Sequence, residues 1–484
     1  MPSDIKREET GTPINQAELI ARANATVPTK VQSDWMDREF YGFIHFGMNT
    51  FTGHEWGDGT ESPSLFNPAA LDCRQWARTM KATGMTGMVL TAKHHDGFCL
   101  WPTATTAHSV AASPLKGGKG DVVRECAEAA KEFGLAFGVY LSPWDRNSIY
   151  YGQGKAYDDF YCAQLRELCT NYGDLFMVWL DGAGGGGIAG GDAEGGGRQK
   201  YDFALYHALV RELQPNCAIV NCGPDARWIG NEGGNARAAE WSIVDERHFT
   251  GAISVPPYSD IDPTAPDLGS RQEIAKADQL IWYPAEMDTS IRPGWFYHKR
   301  EDAAVRTADT LFDIYLGSVG GNANLILNMP PMPNGLFHQN DVSACAQLGK
   351  KLRAAFGKNL AEGAILTASA ESDAAHSAAE ALSPDKNAYW HSGAADGSIE
   401  LRLDLRHPQE VTYIVLQEHT ESGQQIEAFS VYAEQENAWH RVAGAANIGH
   451  KRILRLPKPM ETQKLRIVIE ETRAFASLQT IAIY

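Results

Sequence analysis

Between about residue 35 and residue 356, short apolar runs alternate with segments of helical periodicity, and this alternation limits the fold more than any other feature. Strands are predicted at Phe40 to Phe46, Met85 to Ala92, Ala136 to Leu141, Leu175 to Leu180, Ala218 to Asn221, Gln279 to Pro284 and Asn324 to Met329. Helices are predicted at Leu71 to Thr83, Asp121 to Phe133, Ala156 to Tyr172, Tyr201 to Leu213, Ala303 to Leu316 and Asp341 to Phe356. Asp72 starts the first of these helices, and Gly84 and Gly134 supply stops. Such βα repetition predicts an α/β fold, a (β/α)8-like, TIM-type barrel rather than an open sheet. No GxGxxG follows the first strand, which argues against a dinucleotide fold. After Gly357 the helical period disappears. Ile399 to Leu405, Val411 to Gln417, Phe429 to Ala433 and Leu465 to Glu470 are short, alternating or β-branched, and separated by turns, which predicts an all-β sandwich domain. The chain thus divides into a lead-in (1–34), a barrel (35–356) and a C-terminal β-sandwich (357–484).

A chain of 484 residues exceeds one ordinary core, in keeping with that division. Its net charge of −17 argues against nucleic acid or an anionic membrane as a partner. No run is long and apolar enough to span a bilayer. The N-terminus has no apolar signal core, so the expected location is the cytoplasm, or the outside for a processed form. The 8 cysteines are scattered with no CxxC or zinc spacing and read as buried free thiols. The glycine-dominated segment Asp181 to Arg198 lacks GxxxxGK[ST] and reads as a long mobile loop above the barrel mouth, not a phosphate cradle.

The chemistry is written at the strand ends. The run Phe176-Met-Val-Trp-Leu-Asp181 is a buried strand finishing in a carboxylate, at the position where barrel enzymes carry catalytic groups. The bland alternative is that Asp181 caps the next turn. His45 ends the first strand, with Glu55 and Trp56 beyond it. Lys93-His94-His95-Asp96 end the second and Tyr140 the third. Trp228 and Glu232 follow the fifth, Glu286 ends the sixth, and Arg292 to Trp295 come next. Indoles, imidazoles and carboxylates converging on one mouth suit a carbohydrate. His94 and His95, as strand neighbours, are expected on opposite faces, with one of them structural. A metal site from His45, one of that pair and Asp96 is a rival reading.

Several motifs resemble the α-L-fucosidases of glycoside hydrolase family twenty-nine: Tyr41-Gly-Phe-Ile-His45-Phe-Gly-Met-Asn-Thr-Phe, Thr91-Ala-Lys-His-His-Asp-Gly-Phe, Phe137-Gly-Val-Tyr-Leu-Ser-Pro-Trp-Asp, Val178-Trp-Leu-Asp181-Gly and Asn324-Leu-Ile-Leu-Asn-Met-Pro-Pro. They run in order through residues 35 to 356. Arg227-Trp-Ile-Gly-Asn-Glu232 and the segment Pro284 to His298 resemble the α-1,3/1,4-preferring branch, and the tail resembles a discoidin-like carbohydrate-binding module.

The resemblance implies a retaining exo-glycosidase with Asp181 as nucleophile and Glu232 as acid/base, Glu286 being the rival acid/base. Glu232 is then expected to be protonated at rest through burial or the Asp181 charge. It also implies a fucosylated oligosaccharide substrate held by His45, Glu55, Trp56, His94, His95, Tyr140, Trp179, Trp228, Asp288, Arg292 and Trp295. No cofactor is required, although a structural calcium could sit in the C-terminal domain. The alternatives are a broad-specificity fucosidase active on aryl fucosides, a metal-dependent barrel hydrolase, and a non-catalytic fucose lectin.

Overall fold

The computed structural model describes residues 16–185, 199–234, 236–249, 264–394 and 397–484. Most of the Asp181 to Arg198 segment, and the lead-in before residue 16, lie outside the described residues. Eight parallel strands form the barrel wall: β1 (Phe40–Ile44), β2 (Gly87–Lys93), β3 (Ala136–Leu141), β4 (Met177–Leu180), β5 (Ala218–Asn221), β6 (Arg227–Trp228), β7 (Ala285–Ser290) and β8 (Ala323–Asn328). Their order is β5-β4-β3-β2-β1-β8-β7-β6, and a parallel bridge between Val220 and Ala226 joins the two ends.

Strand alternation separates two apolar layers. Phe40, Ile44, Met88, Leu90, Val139, Leu141, Val178 and Leu180 face outward onto the helices. Tyr41, Phe43, Val89, Tyr140, Met177, Trp179 and Ile326 fill the interior. The helices are capped as their sequences require. Asp72 accepts hydrogen bonds from Arg74 N and Gln75 N at Cys73–Thr83, and Asp121 accepts from Arg124 N at Val122–Phe133. Gly84 (φ 102°) closes the first of these in the left-handed region.

The predicted strand Gln279 to Pro284 is not in the barrel. Leu280–Trp282 pairs antiparallel with Ile243–Asp245 in a separate ribbon, and the wall is built by the next six residues. Pro284 cannot donate a ladder hydrogen bond, so the apolar run is interrupted there. Glu286 therefore lies near the start of β7, deep in the barrel, rather than at a strand end. No helix separates β5 from β6, which the five residues 222–226 connect.

The C-terminal domain is an antiparallel sheet in the order Ile365–Ala368, Ile399–Gln417, Arg452–Thr472, Ile426–Gln435, Ala438–Ala445, with Thr480–Ile483 paired to Ile399–Gln417. The predicted strands Ile399 to Leu405 and Val411 to Gln417 are one bent strand. Its register breaks between Asp404 and Gln409, where Arg406 takes a positive φ of 70°. The domain docks on the barrel through Phe356, Tyr413 and Tyr484, and through polar contacts in which Asn447 Nδ2 donates to the Glu240 carbonyl at 2.8 Å and His450 N donates to Asn322 Oδ1 at 2.7 Å.

Candidate active site

Alternation along each strand decides which end residues enter the mouth. Asp181 continues the inward phase of Met177 and Trp179, and His45 that of Tyr41 and Phe43. On β7, Ala285 and Met287 pack outward, which turns Glu286 and Asp288 inward. On β8 the same phase turns Asn324 and Asn328 inward.

Asp181 is held by two donors: Tyr140 Oη to Oδ2 at 2.7 Å and Ala183 N to Oδ1 at 2.7 Å. The turn-capping alternative is thus partly realised, but the side chain remains 22% exposed, with His95 Nε2 4.0 Å from Oδ2. Burial, then the Asp181 charge, pushes the Tyr140 phenol well above its usual range and keeps it a donor.

The three histidines are buried and neutral. Burial pulls His45 down to about 3, His94 well below its usual value, and His95 down to about 4. Asn328 sets the His45 tautomer. Its Nδ2 donates to Ser290 Oγ and Trp295 O, so its Oδ1 accepts from His45 Nδ1 at 2.9 Å. Ser142 does the same for His95: its hydroxyl donates to Trp144 O and accepts from His95 Nδ1 at 2.7 Å. Nε2 of both rings is left as an acceptor, suited to a sugar hydroxyl. His94 Nδ1 is buried without a hydrogen-bond partner among the described residues.

The expectation that His94 and His95 point to opposite faces is overturned. Their ring centroids are 4.0 Å apart. The strand ends at Lys93 after a register break following Thr91, so strand alternation no longer applies to the two histidines. Lys93 itself turns into the core and pairs with Asp145 at 2.9 Å. Among the described residues no group of three or more His, Cys, Asp or Glu could hold a metal ion, the His45–Asp96 set included.

Glu232 lies on the loop after β6, exposed. The loop is tied to β7 by Thr289 Oγ1, which donates to the Glu232 carbonyl at 2.8 Å, and Trp295 Nε1 donates to its carboxylate at 3.1 Å. Its exposure differs from the expected burial. Trp295 reaches from there across to His45, with centroids 5.0 Å apart. Glu286, the rival, is 2% exposed and accepts from Tyr41 Oη on one oxygen and Trp179 Nε1 on the other, the latter at 2.6 Å. Burial raises it to about 7. Both oxygens are engaged in the barrel floor, and Trp179 is committed to holding Glu286 and stacking on Tyr140 at 5.3 Å.

Asp288 accepts from Trp228 Nε1 at 2.7 Å, and burial followed by the Glu232 charge raises it well above the carboxylate range. Trp56 is 61% exposed, edge-on to His95 and Trp144 at the entrance.

Two further assigned pocket residues, besides Trp179, do other work. Glu55 accepts from Trp295 N at 2.9 Å and His298 Nε2 at 2.6 Å, so it braces the loop that carries Trp295. Arg292 is fully buried, in a chelate with Asp341 at 3.0 Å and an ion pair with Asp302 at 3.0 Å, and does not line the mouth. Asn328, which orients His45, is not among the residues expected at the mouth, whereas Ser142, which orients His95, follows the third strand end where polar groups were expected. The available signal was the inward phase of Asn328 at the end of β8.

A family model described as Alpha-L-fucosidase matches residues 22–355, and one described as F5/8 type C domain matches residues 365–481. The chain is 35% identical over 464 residues to alpha-L-fucosidase 1 of Arabidopsis thaliana, covering 95% of this chain and 87% of that one. Among solved structures it is similar to a glycoside hydrolase 29 family member from an unknown rumen bacterium (38% identity, TM-score 0.78, 95% of this chain and 77% of that one). It is also similar to a Ruminococcus gnavus GH29 fucosidase in complex with fucose (27% identity, TM-score 0.81, 95% of each chain). The fucosidase model spans the whole barrel wall and these relatives cover nearly the entire chain: the protein belongs to the α-L-fucosidases of glycoside hydrolase family 29, enzymes that act on fucosylated substrates, and carries a C-terminal F5/8 type C domain.

Proposed function

We propose that this α-L-fucosidase works by retaining double displacement and prefers fucose linked α-1,3 or α-1,4 on Lewis-type glycans. Asp181 attacks the anomeric carbon while Glu232 gives its proton to the departing glycosidic oxygen. Glu232 then takes a proton from the water that attacks the same carbon and frees Asp181. The observation that carries this reading is the contrast among the inward carboxyls. Asp181 is hydrogen-bonded yet accessible, whereas Glu286 is enclosed by Tyr41 and Trp179. Glu232 is exposed and bonded by Trp295, which supports its reading as the group that meets the leaving sugar. His45 and His95 offer Nε2 acceptors for fucose hydroxyls.

The linkage preference rests on the Trp228–Asp288 pair and on Trp295, polar and aromatic groups placed around Glu232 where a second branch could lie. Asp288 lies close enough to Glu232 for that charge to help raise its carboxyl, which places the Trp228 indole beside the proposed acid. A contact made only in the productive geometry raises turnover rather than merely tightening binding. The test compares kcat/KM on a Lewis trisaccharide, on the matching fucosyl disaccharide without galactose, and on an aryl fucoside. The trisaccharide is expected to lead by about tenfold or more. Equal values, or a lead for the aryl fucoside, would favour the broad-specificity reading.

A further inference from the structure

The outer side of the Glu232 loop holds an arginine that the reaction does not use. Arg306 follows the end of β7, where its backbone N–H donates to Ile291 O at 2.9 Å, and it directly precedes Thr307, which caps the helix Ala308–Ser318. Its side chain is half-buried, and among the described residues it has neither an ion-pair nor a hydrogen-bond partner. In a chain of net charge −17, with 60 acidic residues against 43 basic, that isolation is informative.

The guanidinium lies against the loop itself, since a Cβ on Gly234 would stand 3.5 Å from Arg306 Nη1. Together with Gly233, Thr310, Asp313 and Ile314, these residues line an open groove of about 440 Å³. The one carboxylate among the described lining residues, Asp313, is paired with Arg455 of the C-terminal domain at 2.8 Å rather than with Arg306. Glu232 accepts from Trp295 Nε1, and the next two residues of the chain, Gly233 and Gly234, line the groove.

We propose that this groove is a subsite for an anionic substituent, a carboxylate or a sulfate ester, on the sugar branch that departs with the Glu232 proton. The proposal rests on Glu232 being the acid and on the substrate being a branched glycan. Arg306 is already partly desolvated in the free enzyme, and a planar fork of N–H donors matches either oxyanion with two parallel hydrogen bonds.

The test measures kcat/KM of the full chain on a neutral Lewis trisaccharide, on its galactose-sulfated form and on its sialylated form. At low salt an acidic form is expected to be preferred by about tenfold, a charge-assisted bond being worth that much. The two acidic arms decide between sulfate and carboxylate. Arg306→Gln should bring the acidic-to-neutral ratio close to one, mainly through KM, and Arg306→Lys should keep part of it. Should the glutamine variant fold poorly, the shrinking preference of the unaltered enzyme with rising ionic strength, together with the lysine variant, gives the same readout. No preference in the unaltered enzyme, or an undiminished ratio in Arg306→Gln, would overturn the subsite. Turnover of an aryl fucoside with none of the three glycans would overturn the branched-substrate reading and the subsite with it.

Discussion

Strands β1 to β4 and strands β5 to β7 line the same mouth but deliver their functional groups differently. In the first half each strand leads through a helix to the next, and its last inward residue, or the one just beyond it, reaches the site already braced. His45 is braced by Asn328, His95 by Ser142 and Asp181 by Tyr140. In the second half β5 runs into β6 without a helix, Glu232 stands on a loop, and β7 carries its inward carboxyls, Glu286 and Asp288, below the rim. The first half is suited to holding one sugar in a fixed pose. The second leaves an exposed carboxyl beside the Trp295 indole. A nucleophile has to be within bonding distance of one carbon, so it belongs on a strand end. An acid/base meets a leaving group whose bulk must enter and depart, so a loop serves it better.

The largest effect is expected where the rigid half is broken. Asp181→Gly should lower turnover by about four orders of magnitude with folding retained, and added azide should restore part of it while giving an inverted fucosyl azide. Near-normal activity in this variant, read from fucose release, would remove Asp181 from its role and the contrast with it.

Glu232→Ala tests the loop half. It should cost about 10²–10³-fold on a glycan, whose leaving group needs a proton, and far less on an activated aryl fucoside. Equal losses on both substrates would shift attention to Glu286.

Glu286→Gln gives the smallest effect and sharpens the distinction between a buried and a working carboxyl. Its folded-state value of about 7 lies above the ordinary 4.5, so the folded state holds the proton more tightly. Its destabilising contribution is absent below about pH 4.5 and grows as pH rises to about 7, reaching at most about 3 kcal/mol. Melting temperature measured from pH 4.5 to 8 should therefore fall less steeply in the glutamine variant than in the unaltered protein. Parallel curves would show that Glu286 does not titrate in this window.

Much of the first half was legible in the chain because its signals are local. Phe176 to Leu180 reads as a buried strand from composition alone, Asp72 and Asp121 announce helices, and Gly84 ends one. The inward direction of Asp181 follows from its phase with Trp179. The second half was less legible. The two-residue strand Arg227–Trp228 is too short to leave a period, and the apolar run before Pro284 looks like a wall strand until its ribbon partner, Ile243–Asp245, is known. Arg292 and Glu55 illustrate the same limit: a charged residue next to a strand end reads as a ligand, and only the distant Asp341 and His298 show that each is a brace.

The sequence by itself determined the βα repeat, the change to β structure after Gly357, and the residue types at the strand ends, because period, caps and breakers act over a few neighbouring residues. Only the tertiary structure decided which of those end residues are free to act. Burial of His45 and His95, closure of Tyr41 and Trp179 around Glu286, and the exposure of Glu232 all depend on contacts across tens to hundreds of residues. A carboxyl's chemistry follows from the donors and solvent that reach it, and those are set by packing rather than by its neighbours in the chain.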